Sequence, residues 1–278
     1  MPEPTLYPPP RPLTVGEVLD LSFRIYRRTF VKCLLFGALL VVARWLPNAY
    51  SIARGQSVAQ SMLRPSVDAG HLVLLFVGLL LAFLFPVAIT ARQYRMITGQ
   101  QPGGELLQVL RWLGRIILIV ILMTLIGVAC GMLLVPAFLA GGFLRYVLFA
   151  LLLLPMGYVF LRLECAFVAM VIEDTSATGS LARSWQLSGG NVLRIMAMNT
   201  VALFLLLALY VVVGSLTAFL YAAFGRGDVV LIAAAMAVVT VAAGAIATPY
   251  YSSMGLAIFG DLRARKEGAD LSQRISAS

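Results

Sequence analysis

Six apolar runs, at 30–46, 72–91, 116–135, 146–171, 195–221 and 229–251, alternate with short polar stretches that hold most of the chain's charge. A bilayer core of roughly 30 Å needs about 20 apolar residues of helix to cross it, and each run comes near or above that length. The pattern predicts an all-α, polytopic membrane protein with six transmembrane helices. The segments between the runs are too short to form a soluble catalytic domain.

The polar stretches follow a pattern of their own. Thr14 with Glu17 three residues on is a capping box, and Leu13 against Val18 a hydrophobic staple, so a helix starts there. Along it Glu17, Asp20, Arg24, Arg27 and Arg28 fall on one face, while Val15, Val18, Leu19, Ser22, Ile25 and Tyr26 fall on the other, the spacing of an interfacial amphipathic helix. Gly16-Glu17-Val18-Leu19 returns as Gly104-Glu105-Leu106-Leu107. Leu19, Ser22, Phe23, Ile25, Thr29 and Lys32 share their spacing with Leu181, Ser184, Trp185, Leu187, Asn191 and Arg194. The spans are therefore expected to form three repeats, each an amphipathic helix followed by a transmembrane hairpin, over about 14–96, 102–174 and 175–260. Thr175 or Ser176 caps the third amphipathic helix, and Ser188-Gly189-Gly190-Asn191 ends it as an elbow before the fifth span. A phosphate loop is excluded there, since Gly189-Gly190 lacks a Walker pattern and follows a helix.

At 61% hydrophobic and 12% charged, with a mean hydropathy of +0.94, the chain would expose too much apolar surface as a soluble domain. Residues 1–13 form a Pro-rich tail without the features of a cleavable signal peptide, so the first span is expected to act as an uncleaved insertion signal. The tail is read as a spacer, with recognition of Tyr7 to Pro12 by a partner the alternative. Basic residues mark the cytoplasmic side of a membrane protein. Arg11, Arg24, Arg27, Arg28, Lys32, Arg92, Arg95, Arg111, Arg115, Arg183, Arg194, Arg263, Arg265, Lys266 and Arg274 fall on the side of both termini, against Arg44, Arg54, Arg64, Arg145 and Arg226 opposite. Both termini are predicted to be cytoplasmic, with 261–278 a basic tail. The net charge of +9 then reflects topology and attraction to anionic headgroups, and nucleic acid is a poor partner. Arg24, Arg27, Arg28, Arg263, Arg265 and Lys266 are the candidate surface for docking a soluble partner or lipid headgroups, the bland alternative being a helix that only positions the chain on the membrane.

Inside the spans ionisable groups are costly and therefore candidates for function. Arg162 and Glu164, two residues apart, do not face each other on a helix, so each needs a partner elsewhere, with Asn199 among the polar groups nearby. They mark either a polar substrate path or a span longer than the bilayer whose side chains snorkel. Pro86, Pro155 and Pro249 fall at matching places in the second helix of each hairpin, where each frees a carbonyl, a pattern also seen at transporter sites. Gly127 and Gly131 form a GxxxG pair in the third span, and Ala233, Ala237, Gly244 and Thr248 give the sixth a small-residue face. Both favour close packing within one chain or between copies. Cys33, Cys130 and Cys165 lie in different spans without ligand spacing. His71 is the only histidine, which excludes a multi-histidine metal site and the HExxH motif; no GxSxG elbow occurs. Neither a metal nor another cofactor is expected.

Three segments carry a family resemblance. These are Pro12-Leu13-Thr14-Val15-Gly16-Glu17-Val18-Leu19-Asp20 followed by Phe23-Arg24-Ile25-Tyr26-Arg27-Arg28; Glu173-Asp174 through Ala182-Arg183-Ser184-Trp185-Gln186-Leu187 to Gly190-Asn191; and the tail from Asp261 to Leu271. Together they resemble bacterial proteins similar to the membrane domain of glycerophosphoryl diester phosphodiesterases. The resemblance implies a six-span protein of the bacterial inner membrane. The phosphodiesterase activity does not carry over, because it belongs to a soluble barrel with catalytic histidines that this chain lacks. Phe259-Gly260 also departs from the aromatic pair expected before the aspartate. The expected role is a non-enzymatic, membrane-embedded scaffold or accessory module; the alternative is a transporter or lipid-handling protein with a polar path near Arg162 and Glu164.

Overall fold

The computed structural model describes the backbone of residues 7–56, 68–101, 103–224 and 229–277, and side chains over the same residues except 220–221, 223–224, 229–236 and 269–277. The predicted outer-loop arginines Arg64 and Arg226 lie outside the described residues, as do residues 1–6 of the tail and the side chains of Ala233 and Arg274. The described secondary structure is helical: α1 (Val15–Ala53), α2 (Ala69–Ile97), α3 (Glu105–Arg111), α4 (Leu113–Met132), α5 (Val135–Leu139), α6 (Gly142–Leu163), α7 (Ala166–Glu173), α8 (Ala177–Ser188), α9 (Val192–Phe224) and α10 (Val229–Ala277). Five stretches, in α1, α2, α4–α5, α6–α7 and α9, are long and apolar enough among the described residues to cross a membrane.

Three boundaries differ from the sequence reading. The first amphipathic segment is no separate surface helix: with no glycine or proline between Arg28 and Phe30, α1 runs unbroken from its Thr14 cap into the membrane. The fourth predicted span is broken at Glu164–Cys165 into α6 and α7. At that break the Arg162 carbonyl accepts the hydroxyls of Ser184 (2.7 Å) and Ser188 (3.2 Å) from α8, which compensate a backbone acceptor where the helix ends. The third difference is at the tail, where α10 continues past residue 261 to Ala277, and Asp261 at its supposed start is fully buried.

Packing is concentrated toward one end, where α1 begins, α2 and α7 finish, and α3 and α8 lie. One core gathers Val18 and Ile25 of α1, Leu187 of α8, Ile195 and Met198 of α9, and Met254 to Leu262 of α10. A second joins Cys33 and Phe36 of α1 to Val87–Ile89 of α2, Trp112, Ile116 and Ile119 beside or within α4, and Met170 and Val171 of α7. Farther along, α4, α6 and α9 present exposed large apolar residues such as Leu125, Leu154 and Leu203, as expected of surfaces solvated by lipid. Cys33 and Cys165 are buried packing residues and Cys130 is half-buried.

Pro86, Pro155 and Pro249 lie inside α2, α6 and α10, and Pro47 is a further proline inside α1. Around Pro249 is a polar hub that the sequence reading missed. The buried Gln93 amide nitrogen lies 3.2 Å from Thr29 Oγ1, 2.8 Å from the Pro249 carbonyl and 2.9 Å from Ser253 Oγ, tying α1, α2 and α10 together. At Gly37 α1 meets α10 backbone to backbone: a Cβ there would sit 2.8 Å from Ala245 Cα. Gly127 faces Phe160 of the same chain at 3.5 Å, whereas no described atom lies within 4 Å of where a Gly131 Cβ would stand.

Candidate functional site

The densest chemistry lies at the packed end, where charged side chains join segments far apart in sequence. Thr14 caps α1, its hydroxyl accepting the Glu17 amide, while Glu17 accepts the Thr14 amide at 2.6 Å and pairs with Arg11. Just upstream, Leu13 is gripped on both sides. Its N–H donates to Asp261 Oδ1 at 2.8 Å, and its carbonyl accepts the guanidiniums of Arg194 and Arg265. Both arginines also donate to Asp261 Oδ2, at 3.0 and 3.1 Å. One fully buried carboxylate thus holds the start of α1, the start of α9 and a turn of α10.

A second knot forms where α7 ends. Arg183 of α8 pairs with Glu173 at 3.0 Å and Glu267 at 2.6 Å, and Glu267 also takes Arg263 at 2.8 Å. Burial opposes ionisation of Glu267, but the two guanidiniums outweigh it and hold the carboxyl below its usual range. Asp174, in the left-handed region at φ 47°, accepts the Trp112 indole N–H at 2.9 Å and Arg115 at 2.5 Å. Arg92 of α2 pairs with Glu105 of α3 at 3.1 Å, donates to the Lys32 carbonyl at 2.7 Å and stacks on Phe36 at 4.3 Å. Glu105 is disfavoured as an anion by burial, yet Arg92 and the backbone N–H groups of Glu105 and Gly103 lower its pKa.

The candidate docking residues divide in this frame. Arg24, Arg27 and Arg28 lie exposed along α1, with Asp20 beside them, and Lys266 is exposed on α10. Arg263 and Arg265 do not extend that surface, since both are half-buried in the knots just described. The intramembrane candidates separate as well. Arg162 turns toward the elbow after α8, donating to the Trp185 carbonyl at 2.6 Å, Tyr158 Oη at 3.1 Å and Ser188 Oγ at 3.3 Å. Its guanidinium lies 3.8 Å from the Trp185 ring centroid. Glu164 instead accepts the side-chain amide of Asn199 on α9. Each found a partner on a neighbouring helix, and the two partners lie at different places.

The Pro-rich tail is tied down where it is described. Tyr7 is 3% exposed, its ring edge-on to Tyr94 at 5.8 Å, and burial raises its phenol pKa. It rests with Pro9 on Gly260, where a Cβ would come within 2.7 Å of the Tyr7 ring and 3.0 Å of Pro9. The glycine before the aspartate thus makes room for the N-terminal segment.

One family model matches residues 106–254, just over half of the chain, from α3 through the first half of α10. The chain belongs to the DUF7847 family, a domain of unknown function. No curated protein and no solved structure matches it. The DUF7847 region holds Arg162, Glu164 and Asn199 together with their partners, and also Arg183 and Arg194, whose partners Glu267, Asp261 and Leu13 lie outside it, so the packed end is completed by both flanks of the family region.

Asp261 and Arg265 lie one helical turn apart, a legible pairing signal. Arg194, Arg183 and Gln93 carried no local signal, because their partners come from distant helices.

Proposed function

We propose that this DUF7847 chain is a non-enzymatic, six-span scaffold or accessory module of the bacterial inner membrane, with both termini cytoplasmic and α1 its docking element for a soluble protein partner. The observation that carries the proposal is the division of labour among the arginines of the packed end. Arg183, Arg194, Arg263 and Arg265 hold helices together, whereas Arg24 and Arg27, with Arg28 beside them, lie exposed along a helix that runs without a break into the membrane. A rigid, outward-facing basic row suits recognition of an acidic partner surface.

A threefold repeat is part of this reading, and the like environments of matching residues support it. Ser22 and Ser184 are both fully buried, Ile25 and Leu187 are buried, and Phe23 and Trp185 are exposed to a similar degree. Glu17 and Glu105 each turn back to accept a backbone N–H at the start of their helix. The resemblance to the membrane domain of glycerophosphoryl diester phosphodiesterases enters only as support for six spans. Arg162 and Glu164, on which the transporter or lipid-handling alternative was built, take separate partners at the elbow and on α9.

The test is crosslinking in native membranes followed by mass spectrometry, comparing wild type with Arg24→Glu/Arg27→Glu/Arg28→Glu and with Arg162→Ala, each checked for insertion. A discrete soluble partner lost only from the triple variant is expected. An unchanged set of protein crosslinks in the triple variant would refute the docking role.

A further inference from the structure

We infer that the elbow joining α8 to α9 is a binding site for the phosphodiester headgroup of an anionic membrane phospholipid. Two cations converge there. A Cβ on Gly189 would lie 3.3 Å from Arg162 Nη2 and 3.9 Å from Lys266 Nζ, so α6 and α10 each place a basic side chain at one point of the elbow. Neither cation has a carboxylate partner among the described residues. Glu164, two residues from Arg162, is engaged by Asn199, and Glu267, next to Lys266, is held by Arg183 and Arg263. Within the knots of the packed end, by contrast, Arg92, Arg115, Arg183, Arg194, Arg263 and Arg265 are matched by Glu105, Asp174, Glu173, Glu267 and Asp261. At the elbow two cations from different helices meet without a carboxylate between them.

The surroundings fit a lipid. Arg162 meets three neutral oxygens, those of Tyr158, Trp185 and Ser188, which aim the guanidinium while leaving it N–H donors to spare. Tyr158 and Trp185 pack edge-on at 6.4 Å and are 45% and 38% exposed, amphipathic rings of the kind enriched at headgroup level. Beside them Leu154 of α6 and Leu193 and Met196 of α9 are exposed apolar side chains, a surface for acyl chains beneath a charged clamp. A phosphodiester satisfies both cations at once, and its two chains have an apolar seam to follow. This site shares no residue with the α1 docking row and stands or falls independently of it.

Native mass spectrometry of the full chain, exchanged from detergent into defined lipid, tests the inference with phosphatidylglycerol as the probe and diacylglycerol of the same chains as the uncharged control. Wild type should retain phosphatidylglycerol over diacylglycerol. At about fivefold per basic side chain, Lys266→Gln should weaken retention about fivefold and Arg162→Gln/Lys266→Gln about 25-fold, while Arg111→Gln, at an exposed arginine of α3, should match wild type. Lys266 is exposed, so its substitution reads binding without disturbing the packed end. Equal retention by wild type and the double variant would overturn the inference, as would a loss in Arg111→Gln equal to that in Lys266→Gln, which marks diffuse attraction. Displacement of the lipid by millimolar inorganic phosphate or glycerol 3-phosphate would assign the elbow to a soluble phosphate and overturn the lipid assignment.

Discussion

Asp261→Asn should be the most damaging conservative substitution at the packed end. The wild-type carboxylate is fully buried and accepts three N–H donors, one from Leu13 and one each from Arg194 and Arg265. Asparagine keeps the shape and can still accept from Leu13 through Oδ1, but its NH2 group replaces Oδ2 and confronts two guanidinium donors. Removing one partner of a buried ion pair costs about 3–5 kcal/mol, because the other charge is left uncompensated. Arg194 and Arg265 are 20% and 29% exposed, so water recovers part of that loss and the expected cost is near the lower bound, about 3 kcal/mol. That is about two decades in the folded-to-unfolded ratio.

The global measurement is equilibrium unfolding by SDS in mixed micelles, followed by tryptophan fluorescence. The local one is hydrogen exchange at the Leu13 amide, whose protection should fall because the two repelled guanidiniums loosen the segment even though Oδ1 can still accept its N–H. Arg194→Gln introduced into the Asp261→Asn background should add little, since the interaction is already gone, giving a coupling energy above about 1 kcal/mol in the double-mutant cycle. A loss below about 1 kcal/mol, the range of exposed ion pairs, together with a Leu13 amide still protected, would refute the reasoning.

Three further outcomes are expected. Gly260→Ala places a methyl 2.7 Å from the Tyr7 ring and should release the N-terminal segment, costing about 1–3 kcal/mol as overpacking does; the Tyr7 phenol, now solvated, should titrate at a lower pH than in wild type, read by NMR. Gly37→Leu should force α1 away from Ala245 and lower the disulfide yield between cysteines introduced at Leu34 and Val241, which line the same α1–α10 groove. Glu105 and Glu267 have depressed folded pKa values, so their contribution is complete above the unfolded value of about 4.3 and is lost as pH falls through the folded ones. Acid unfolding of Arg92→Gln should then show a shallower loss below about pH 4.3 than wild type, and an unchanged acid slope would rule Glu105 out as a contributor.

Much of the helical layout was legible because local chemistry states it. The Thr14–Glu17 box, the Ser176 cap and the Gly189-Gly190 elbow are all where their residue types place them, and the shared spacing of Ser22 and Ser184 carries through to shared burial. What the sequence hid has a common physical reason. In lipid the inner and outer faces of a span are both apolar, so periodicity does not tell Ile195, fully buried, from Leu203, 64% exposed. Tertiary pairing was equally silent: Leu13 and Asp261 are 248 positions apart, and Gln93 and Ser253 are 160 apart. The break between α6 and α7 was missed because it depends on serine hydroxyls supplied by α8, with neither proline nor glycine at the break itself.

The same argument says where this fold gets its specificity. Without water in the bilayer, apolar contact gives spans little reason to prefer one another over lipid, and association rests on close packing and hydrogen bonds. The described contacts follow that rule. The α1–α10 seam closes at Gly37, and the Gln93 hub joins those two helices to α2. α6, with its long exposed apolar face, is held at its end by Arg162 and the α8 serines. The arginine and serine contacts between helices therefore fix how the helices are arranged, while the apolar runs fix only that they are inserted. Substitutions such as Arg183→Gln, which unlink α7, α8 and α10, should accordingly leave membrane insertion intact and change the distances between helices, a separation that insertion assays and interhelical crosslinking report independently.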